Sequence, residues 1–301
     1  MKSFLSFILL FSSLITSSFA YSQEAVIISP NKELSLKIFI ENGNLLYTVN
    51  YKDAVILEKS PLGLQTNEGN FNTGLSFVEK SENRINKNYT QSKIKRSEIN
   101  YEANTLKYTF QNTQEQKMSV VFQVSNNDIA FRYELPTWGD RRACVIEAET
   151  TGFRFPSYTT AFLSYMMGPM SAFARTSPSY ESGYQADAPI KDTQSKTGYV
   201  FPGLFKIGEN GWALLSETGV SSLYCAAHLS PCKDGLYTVE YPNPKENNGF
   251  GSVGAQLSLP GTTPWRTITV GENLKPIVET TIPFDVVDPL YEPSKDYKYG
   301  R

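Results

Sequence analysis

Apolar and polar residues alternate with a period of two along much of the chain. The clearest case covers residues 34–40 and 45–51, with Glu41-Asn42-Gly43-Asn44 between them. Two alternating runs joined by a short Asn/Gly segment predict a β-hairpin. The same period predicts further strands over 99–101, which lead through Glu102-Ala103-Asn104 into 106–110, and over 118–124, 129–135, 212–215, 220–226 and 265–270.

The pattern contains no long segment with a 3.6-residue period and no helical segments between the strands. Rossmann and TIM-barrel arrangements need such helices, so neither is expected. Turn residues recur about every ten residues, as is typical of large sandwiches. The sequence therefore predicts an all-β fold, a large sandwich of antiparallel sheets, and the 13% aromatic content suits its half-buried strands.

Two stretches interrupt the alternation. Residues 67–100 are polar and are predicted to form a solvated hairpin or loop rather than a binding patch. Residues 156–203 are rich in Pro, Gly, Ser and Tyr. Function is often carried by loops of this kind, so the second stretch is the first place to look for a site.

The first twenty residues have the pattern of a secretory signal peptide. Lys2 precedes an apolar run over 4–15, and the small residues Ser18 and Ala20 form a cleavage pattern. The run is too short to span a bilayer comfortably, and no later stretch qualifies. We expect residues 1–20 to be removed and the protein to be exported, periplasmic or extracellular, with no membrane contact after cleavage.

Charge and histidine content exclude several functions. Lys and Arg number 28 and Asp and Glu 30, so no basic field exists to hold a nucleic acid. The single histidine, His228, excludes a multi-His zinc site and would have to serve any Ser-His-Asp triad. No nucleophile motif accompanies it, so a structural or surface histidine is expected. Of the three cysteines, Cys144, Cys225 and Cys232, at least one stays unpaired; Cys225 and Cys232 close a small loop or are two buried thiols.

The candidate chemistry lies in residues 180–184. Glu181 stands between Tyr180 and Tyr184 in a segment flanked by Pro and Gly. A carboxylate can ligate calcium, and the two aromatic rings can stack on a sugar; the alternative is an exposed loop glutamate with two packing tyrosines. Trp265 and Arg266, at the start of a predicted strand, are expected to pack within the sandwich.

Several short motifs, in order along the chain, resemble glycoside hydrolase family 97. They are Ile28-Ser29-Pro30-Asn31, Tyr47-Thr48-Val49, Lys59-Ser60-Pro61-Leu62-Gly63-Leu64, Thr263-Pro264-Trp265-Arg266-Thr267-Ile268-Thr269-Val270-Gly271 and Asp288-Pro289-Leu290. The resemblance covers residues 24–293 and is to the family's N-terminal domain. It implies a β-super-sandwich similar to galactose mutarotase, followed in the family by a catalytic (β/α)8 barrel.

The resemblance also implies a function. Family members are exported α-glucosidases or α-galactosidases that act on α-linked sugars with calcium in the active site. A glutamate of the N-terminal domain joins the calcium ligands, and Glu181 matches it best, which would put Tyr180 and Tyr184 beside an α-linked oligosaccharide. Asp187 is the next candidate if Glu181 is wrong.

The catalytic carboxylates of the family belong to the barrel. Residues 294–301 would begin the linker to it, and a barrel needs about 250 residues. We therefore expect residues 1–301 alone to be inactive. A stand-alone periplasmic carbohydrate-binding module is the alternative, and a self-sufficient enzyme using His228 is a third interpretation.

Overall fold

The hairpin predicted over residues 34–51 belongs to a four-stranded antiparallel sheet. The computed structural model describes residues 23–92, 94–166, 184–192, 195–242 and 254–289. The strands pair in chain order and are β1 (Ala25–Ile28), β2 (Leu34–Glu41), β3 (Asn44–Tyr51) and β4 (Ala54–Leu62). Both residues of the turn between β2 and β3, Asn42 and Gly43, have positive φ angles of 52° and 74°. Tight hairpins favour Asn and Gly for this reason.

The largest sheet has ten strands among the described residues, paired antiparallel. Its order is β14-β13-β15-β16-β21-β10-β9-β8-β7, and β20 pairs with β10. The strands are β7 (Ser76–Thr90), β8 (Glu98–Gln111), β9 (Lys117–Val124), β10 (Asp128–Leu135), β13 (Thr160–Ser164), β14 (Tyr184–Pro189), β15 (Gly203–Lys206), β16 (Trp212–Thr218), β20 (Gly261–Thr262) and β21 (Trp265–Gly271).

Two smaller sheets complete the described strands. One has the order β19-β11-β5-β6, and the other has the order β12-β18-β17. Their strands are β5 (Leu64–Thr66), β6 (Gly69–Asn70), β11 (Ala143–Glu149), β12 (Gly152–Arg154), β17 (His228–Leu229), β18 (Leu236–Glu240) and β19 (Ala255–Ser258).

One continuous core joins these sheets. Leu36 of β2, Leu64 of β5, Phe122 of β9 and Phe153 of β12 are fully buried in the same cluster. Strands such as β2 and β3 bury alternate residues there, as expected of sheets packed face to face. The predicted all-β antiparallel sandwich is confirmed.

Two short helices pack on the other face of the ten-stranded sheet. They are α1 (Leu274–Glu279) and α2 (Ile282–Val286), and a 3-10 turn covers Ile190–Asp192 elsewhere. Ile282 and Trp265 are buried together in a second apolar cluster on this face. Trp265 and Arg266, 3% and 1% exposed, are both inside the protein, as predicted.

Three further predictions, on residues 220–226, 99–110 and 67–100, have different outcomes in the structure. The strand predicted over 220–226 is wrong, because β16 ends at Thr218 and Gly219 turns the chain with a φ of 79°. Val220 and Leu223 are then exposed instead of alternating into the core. Residues 98–111 form one continuous strand through Glu102-Ala103-Asn104. The polar stretch over 67–100 contains β7, which pairs with β8 as the predicted hairpin.

The described residues contain no helix with the length and apolar character needed to cross a membrane.

The three cysteines differ in burial. Cys144 is buried, while Cys225 and Cys232 are half-buried and pack against the main core. Burial raises the pKa of the Cys144 thiol to about 11, and the nearby Glu68 carboxylate adds to this. Cys144 is therefore a protonated core residue at neutral pH.

Candidate functional site

The segment that contains the candidate residues leaves and rejoins the ten-stranded sheet at one place. Ser164, at the end of β13, is the direct partner of Tyr184, at the start of β14. Tyr180 and Glu181 lie outside the described residues, as does the side chain of Tyr184. The structure thus describes the base of this segment at an edge of the large sheet.

Hydrogen bonds from neighbouring residues fix the base. The Met166 backbone N–H donates to the carbonyl oxygen of Gly198 at 3.0 Å. The Thr197 hydroxyl donates to the carbonyl oxygen of Met166 at 2.6 Å. On the other side, the Tyr165 hydroxyl donates to the Gln185 amide oxygen at 2.8 Å. Residues 165–166 and 185 are therefore held in one position relative to the sheet.

Close backbone packing at Gly198 supports the same base. Tyr199 and Leu229 exchange two backbone hydrogen bonds of 2.8 Å beside it. Gly198 has a φ of 88°, and a Cβ here would collide with the carbonyl oxygen of Leu229. Only glycine fits both requirements, since other residues rarely adopt this backbone conformation.

His228 lies next to Gly198 but is not arranged as a general base. It is buried, and its Nε2 is 3.5 Å from a carboxylate oxygen of Glu240. Across the described ranges, no serine, threonine or cysteine side chain is hydrogen-bonded to its ring. A triad built on His228 has no nucleophile among these residues, and of the two roles expected, structural or surface, its burial fits the structural one.

Asp187, the second candidate for a metal ligand, is three residues after Tyr184 in β14. It sits in a bulge, because two residues of β14 oppose one residue of β13 there. The Thr160 hydroxyl donates to its Oδ1 at 2.6 Å, and its φ is 52°. The carboxylate is therefore hydrogen-bonded within the bulge, two residues after Gln185.

The calcium site expected from the sequence is not visible as a cluster of ligating side chains in the described residues. They contain no group of three or more His, Cys, Asp or Glu side chains placed to hold a metal ion. Calcium takes six to eight oxygen ligands. Glu181 lies outside the described part, so its predicted role stays a prediction.

A buried charged cluster links β21 and β16 in the middle of the ten-stranded sheet to β11 of a smaller sheet. Arg266 of β21 donates from Nε to Oε1 of Glu149 at 3.0 Å and from Nη2 to Oε2 at 2.6 Å. Its Nη1 donates to Oε2 of Glu217, its cross-strand partner on β16. The Tyr241 hydroxyl donates to Glu149 at 3.1 Å, and the Ala227 backbone N–H donates to Glu217 at 2.9 Å.

Burial and charge work against each other in this cluster. Burial alone would lower the pKa of the Arg266 guanidinium, but Glu149 and Glu217 raise it well above its ordinary value. Burial raises the pKa of Glu217, although Arg266 opposes this shift. Arg266 is therefore a permanent cation that neutralises buried carboxylates, a structural role rather than proton transfer.

A second buried carboxylate anchors the helices to the sheet. Asp128, at the start of β10, accepts hydrogen bonds from the hydroxyls of Thr269 at 2.6 Å and Thr280 at 2.7 Å. Burial raises its pKa to about 6, a shift that these hydrogen bonds oppose and the nearby Asp285 increases. Asp285 in turn accepts from the Tyr89 hydroxyl at 2.7 Å, which fixes α2 to β7.

The outer face of β13, β15 and β16 carries four half-buried apolar side chains among polar ones. Phe162, Leu204 and Leu214 are direct neighbours across the three strands. Trp212 extends the row, with its ring centroid 5.5 Å from that of Phe162. We call these four residues the outer apolar row. Adjacent half-exposed apolar side chains on a sheet face indicate an interaction surface.

Sequence reasoning missed the partners of Arg266. Glu149 is 117 residues away in the chain, and Glu217 is 49 residues away. A weak signal was present, since Arg266 is the one charged residue of its strand and a buried arginine needs an acid nearby. The identity of that acid depended on which strands become neighbours.

The chain matches one family model over most of its length and resembles larger enzymes. The model is Glycosyl-hydrolase 97 N-terminal, matched over residues 27–289. A probable retaining α-galactosidase of Streptomyces bingchenggensis is 25% identical over 253 residues, which cover 83% of this chain and 35% of that protein.

Solved structures of larger glycoside hydrolases also match this chain over part of their length. The crystal structure of a β-arabinopyranosidase is 49% identical, with a TM-score of 0.87, over 92% of this chain and 44% of that one. A glycoside hydrolase family 97 enzyme of Pseudoalteromonas sp. strain K8, in complex with panose, is 23% identical with a TM-score of 0.74, over 88% and 38%. The chain thus spans well under half the length of these relatives.

Proposed function

The chain belongs to the N-terminal family of glycoside hydrolase 97, and we propose that it is the N-terminal domain of an exported, calcium-dependent glycosidase. Its role is to brace a catalytic (β/α)8 barrel and to complete the sugar site from one side. The observation that carries this proposal is the 49% identity to a β-arabinopyranosidase over 92% of this chain. The catalytic carboxylates would come from the barrel, so residues 1–301 alone would not hydrolyse glycosides.

The relatives favour one type of sugar ring. A β-L-arabinopyranoside and an α-D-galactoside have the same arrangement of ring hydroxyls and of the anomeric bond, and differ by a hydroxymethyl group at C5. A β-arabinopyranosidase and a probable α-galactosidase are the relatives at 49% and 25% identity. The panose-bound enzyme is 23% identical and supports the fold only. We therefore propose a galacto-configured pyranoside as substrate, ahead of an α-glucoside.

The outer apolar row is the proposed docking surface for the barrel. Phe162, Leu204, Leu214 and Trp212 are half-buried, large apolar side chains on one face of the sheet. The proposed occupant is the C-terminal part that the relatives have beyond the region matched here, more than half of their length. Domain interfaces within a chain typically bury 600–1,500 Å². A row of four large side chains provides an apolar centre for such an interface.

The 167–183 segment is proposed to reach the sugar site, with Glu181 as a calcium ligand and Tyr180 and Tyr184 beside the substrate. What supports this is the fixed base: Ser164 and Tyr184 are paired, and residues 165, 166 and 185 are hydrogen-bonded in place. A segment anchored at both ends can present a side chain to a neighbouring domain at a low entropic cost. The remaining calcium ligands would come from the barrel.

The test of this role uses a domain exchange, in which residues 23–301 replace the matching region of the β-arabinopyranosidase. Calcium is removed with a chelator and restored while hydrolysis of an aryl β-L-arabinopyranoside is followed. Glu181→Ala should raise the calcium needed for half-maximal activity by about 10- to 100-fold, the size expected for loss of a group that orients a metal site. Glu58→Ala, at an exposed position of β4, is the control and should behave as the unmodified exchange protein.

An unchanged calcium requirement in Glu181→Ala would remove Glu181 from the metal site and leave the domain assignment intact. An exchange protein that folds but shows no activity at any calcium concentration would contradict the proposed function itself. Only an inactive exchange protein, found together with sugar binding by the chain alone, would favour the stand-alone carbohydrate-binding module.

A further inference from the structure

A polar groove with an exposed aromatic ring lies at the opposite end of the strands from the 167–183 segment. Its volume is about 690 Å³, within the range of small-molecule sites. It is lined by the β3–β4 turn, by Tyr158 before β13, by residues 209–210 between β15 and β16, and by Glu272 after β21. Tyr158 precedes β13 and Met166 follows it, so the groove and the base of the segment lie at opposite ends of this strand.

The ring of Tyr158 is exposed but held in place. Its side chain is 53% exposed, and its hydroxyl accepts a hydrogen bond from the Asn210 amide at 3.1 Å. The ring also packs over Gly208, where a Cβ would stand 3.2 Å from Cδ2 of Tyr158. An aromatic face that is both accessible and ordered is a preorganised platform, because little side-chain entropy is lost when a flat ligand stacks on it.

Hydrogen-bond acceptors and a hydrogen-bond donor surround this aromatic ring. Asp53, Glu209 and Glu272 offer carboxylate oxygens, and Asn210 offers an amide. Lys52 is paired with Glu272, so the charged groups of the lining sum to about −2. This charge disfavours a phosphate or carboxylate ligand.

The lining also does not suit a metal ion, since the described residues hold no cluster of three or more ligating side chains. A neutral molecule with many hydroxyl groups fits better. Its hydroxyls can donate to the carboxylates and accept from the amide, while its less polar face covers the exposed ring and Val55, which is 42% exposed.

We infer that the groove around Tyr158 binds a neutral oligosaccharide, as an auxiliary site separate from the one that the barrel would complete. Tyr158 supplies the stacking surface, and Asn210, Glu209 and Glu272 bind the hydroxyls. The site holds a sugar chain on the protein without taking part in hydrolysis. It goes beyond the proposed function, because it needs neither the barrel nor Glu181.

The test is a chemical-shift titration of the isotope-labelled chain, residues 23–301, with maltotriose, raffinose or glycerol as probes. We expect saturable shifts with at least one trisaccharide at the amides of residues 52–55, 158, 208–210 and 272, and none with glycerol. Tyr158→Ala should weaken binding about tenfold, the size expected for loss of a stacked aromatic contact. Tyr158→Phe keeps the ring and should remain within about threefold of the unmodified chain.

Val278→Ala is the matched control, because Val278 is 54% exposed on α1 and outside the groove. It should leave the titration unchanged, and thermal melts should show that all variants are folded. The inference is overturned if neither trisaccharide gives saturable shifts, if glycerol gives the same shifts, or if Tyr158→Ala binds as tightly as the unmodified chain. No hydrolysis is measured, so this result is independent of the domain exchange.

Discussion

Arg266 on β21 and Glu149 on β11 are joined by two hydrogen bonds of 3.0 and 2.6 Å, and both side chains are almost completely buried. The pair links the ten-stranded sheet to one of the smaller sheets that pack with it. A bidentate guanidinium–carboxylate pair fixes distance and orientation, which apolar contacts alone do not. It therefore sets how these two sheets are placed relative to each other.

Removing only the arginine should be strongly destabilising. In Arg266→Met, Glu149 and Glu217 would remain buried without their cation, and the free energy of unfolding should fall by about 3–5 kcal/mol. Arg266→Met combined with Glu149→Leu should recover at least half of this loss, because one uncompensated charge is gone. Urea unfolding followed by fluorescence measures both.

Arg84→Met is the control for the buried pair. Arg84 bonds Glu102 at 2.7 Å, but its side chain is 60% exposed, and surface pairs contribute about 0–1 kcal/mol. If Arg266→Met were as mild as Arg84→Met, the central role given to the buried pair would be wrong.

Asp128 should make the stability depend on pH. Its pKa is raised to about 6 by burial, so the folded state favours the protonated acid more than the unfolded state does. The resulting stabilisation is complete below about pH 4 and is lost as pH rises through about 6.

Asp128→Asn mimics the protonated acid, so the variant should not lose this stabilisation as the pH rises. Relative to the unmodified chain, its free energy of unfolding should therefore rise by about 2–3 kcal/mol between pH 4 and pH 7. Denaturant unfolding at several pH values tests this, with Asp140→Asn, at an exposed turn, as the control for net charge. Stability profiles that run parallel in the Asp128→Asn variant and the unmodified chain would refute the assignment.

Gly198 should tolerate no side chain. A Cβ would collide with the Leu229 carbonyl oxygen, and the φ of 88° is unfavourable for alanine. We expect Gly198→Ala to lose at least about 2 kcal/mol of unfolding free energy. Gly139 has a φ of 55°, and a Cβ there would meet no atom within 4 Å, so Gly139→Ala isolates the conformational cost of about 1 kcal/mol. Equal losses in the two variants would show that the close packing at Gly198 is unimportant.

The outer apolar row should matter only when a barrel is present. Leu204→Asp places a charge between Phe162 and Leu214. It should cost the isolated chain about 1 kcal/mol but should separate the domains of the exchange protein, because a charge would then face a dry interface. Limited proteolysis and melting curves of both forms test this, and an exchange protein as stable with Leu204→Asp as without it would place the docking surface elsewhere.

The sequence predicts those parts of the molecule in which one local pattern decides the outcome. The hairpin over residues 34–51 is such a case, because alternation and the Asn42-Gly43 turn point to the same structure. Residues 220–226 look equally apolar, but the left-handed Gly219 and the turn after it override the pattern. The same holds for the all-β class, which follows from alternation in many strands at once.

Sites formed by distant segments were out of reach of such reasoning. The Arg266–Glu149 pair and the contact between Tyr158 and Asn210 join residues 117 and 52 positions apart. Both depend on the order of strands in the sheets, and alternation does not encode that order. The family resemblance pointed to Glu181, but its role rests on ligands that a second domain would supply.

The most direct measurement is kcat/KM of the exchange protein, residues 23–301 of this chain joined to the C-terminal part of the β-arabinopyranosidase. If this chain is the N-terminal domain of such an enzyme, the exchange protein should hydrolyse an aryl β-L-arabinopyranoside or α-D-galactoside at least about tenfold faster than an aryl α-D-glucoside. The isolated chain should show no hydrolysis above the no-enzyme control. A folded exchange protein without activity, or an isolated chain that hydrolyses these substrates after repurification, would contradict the account.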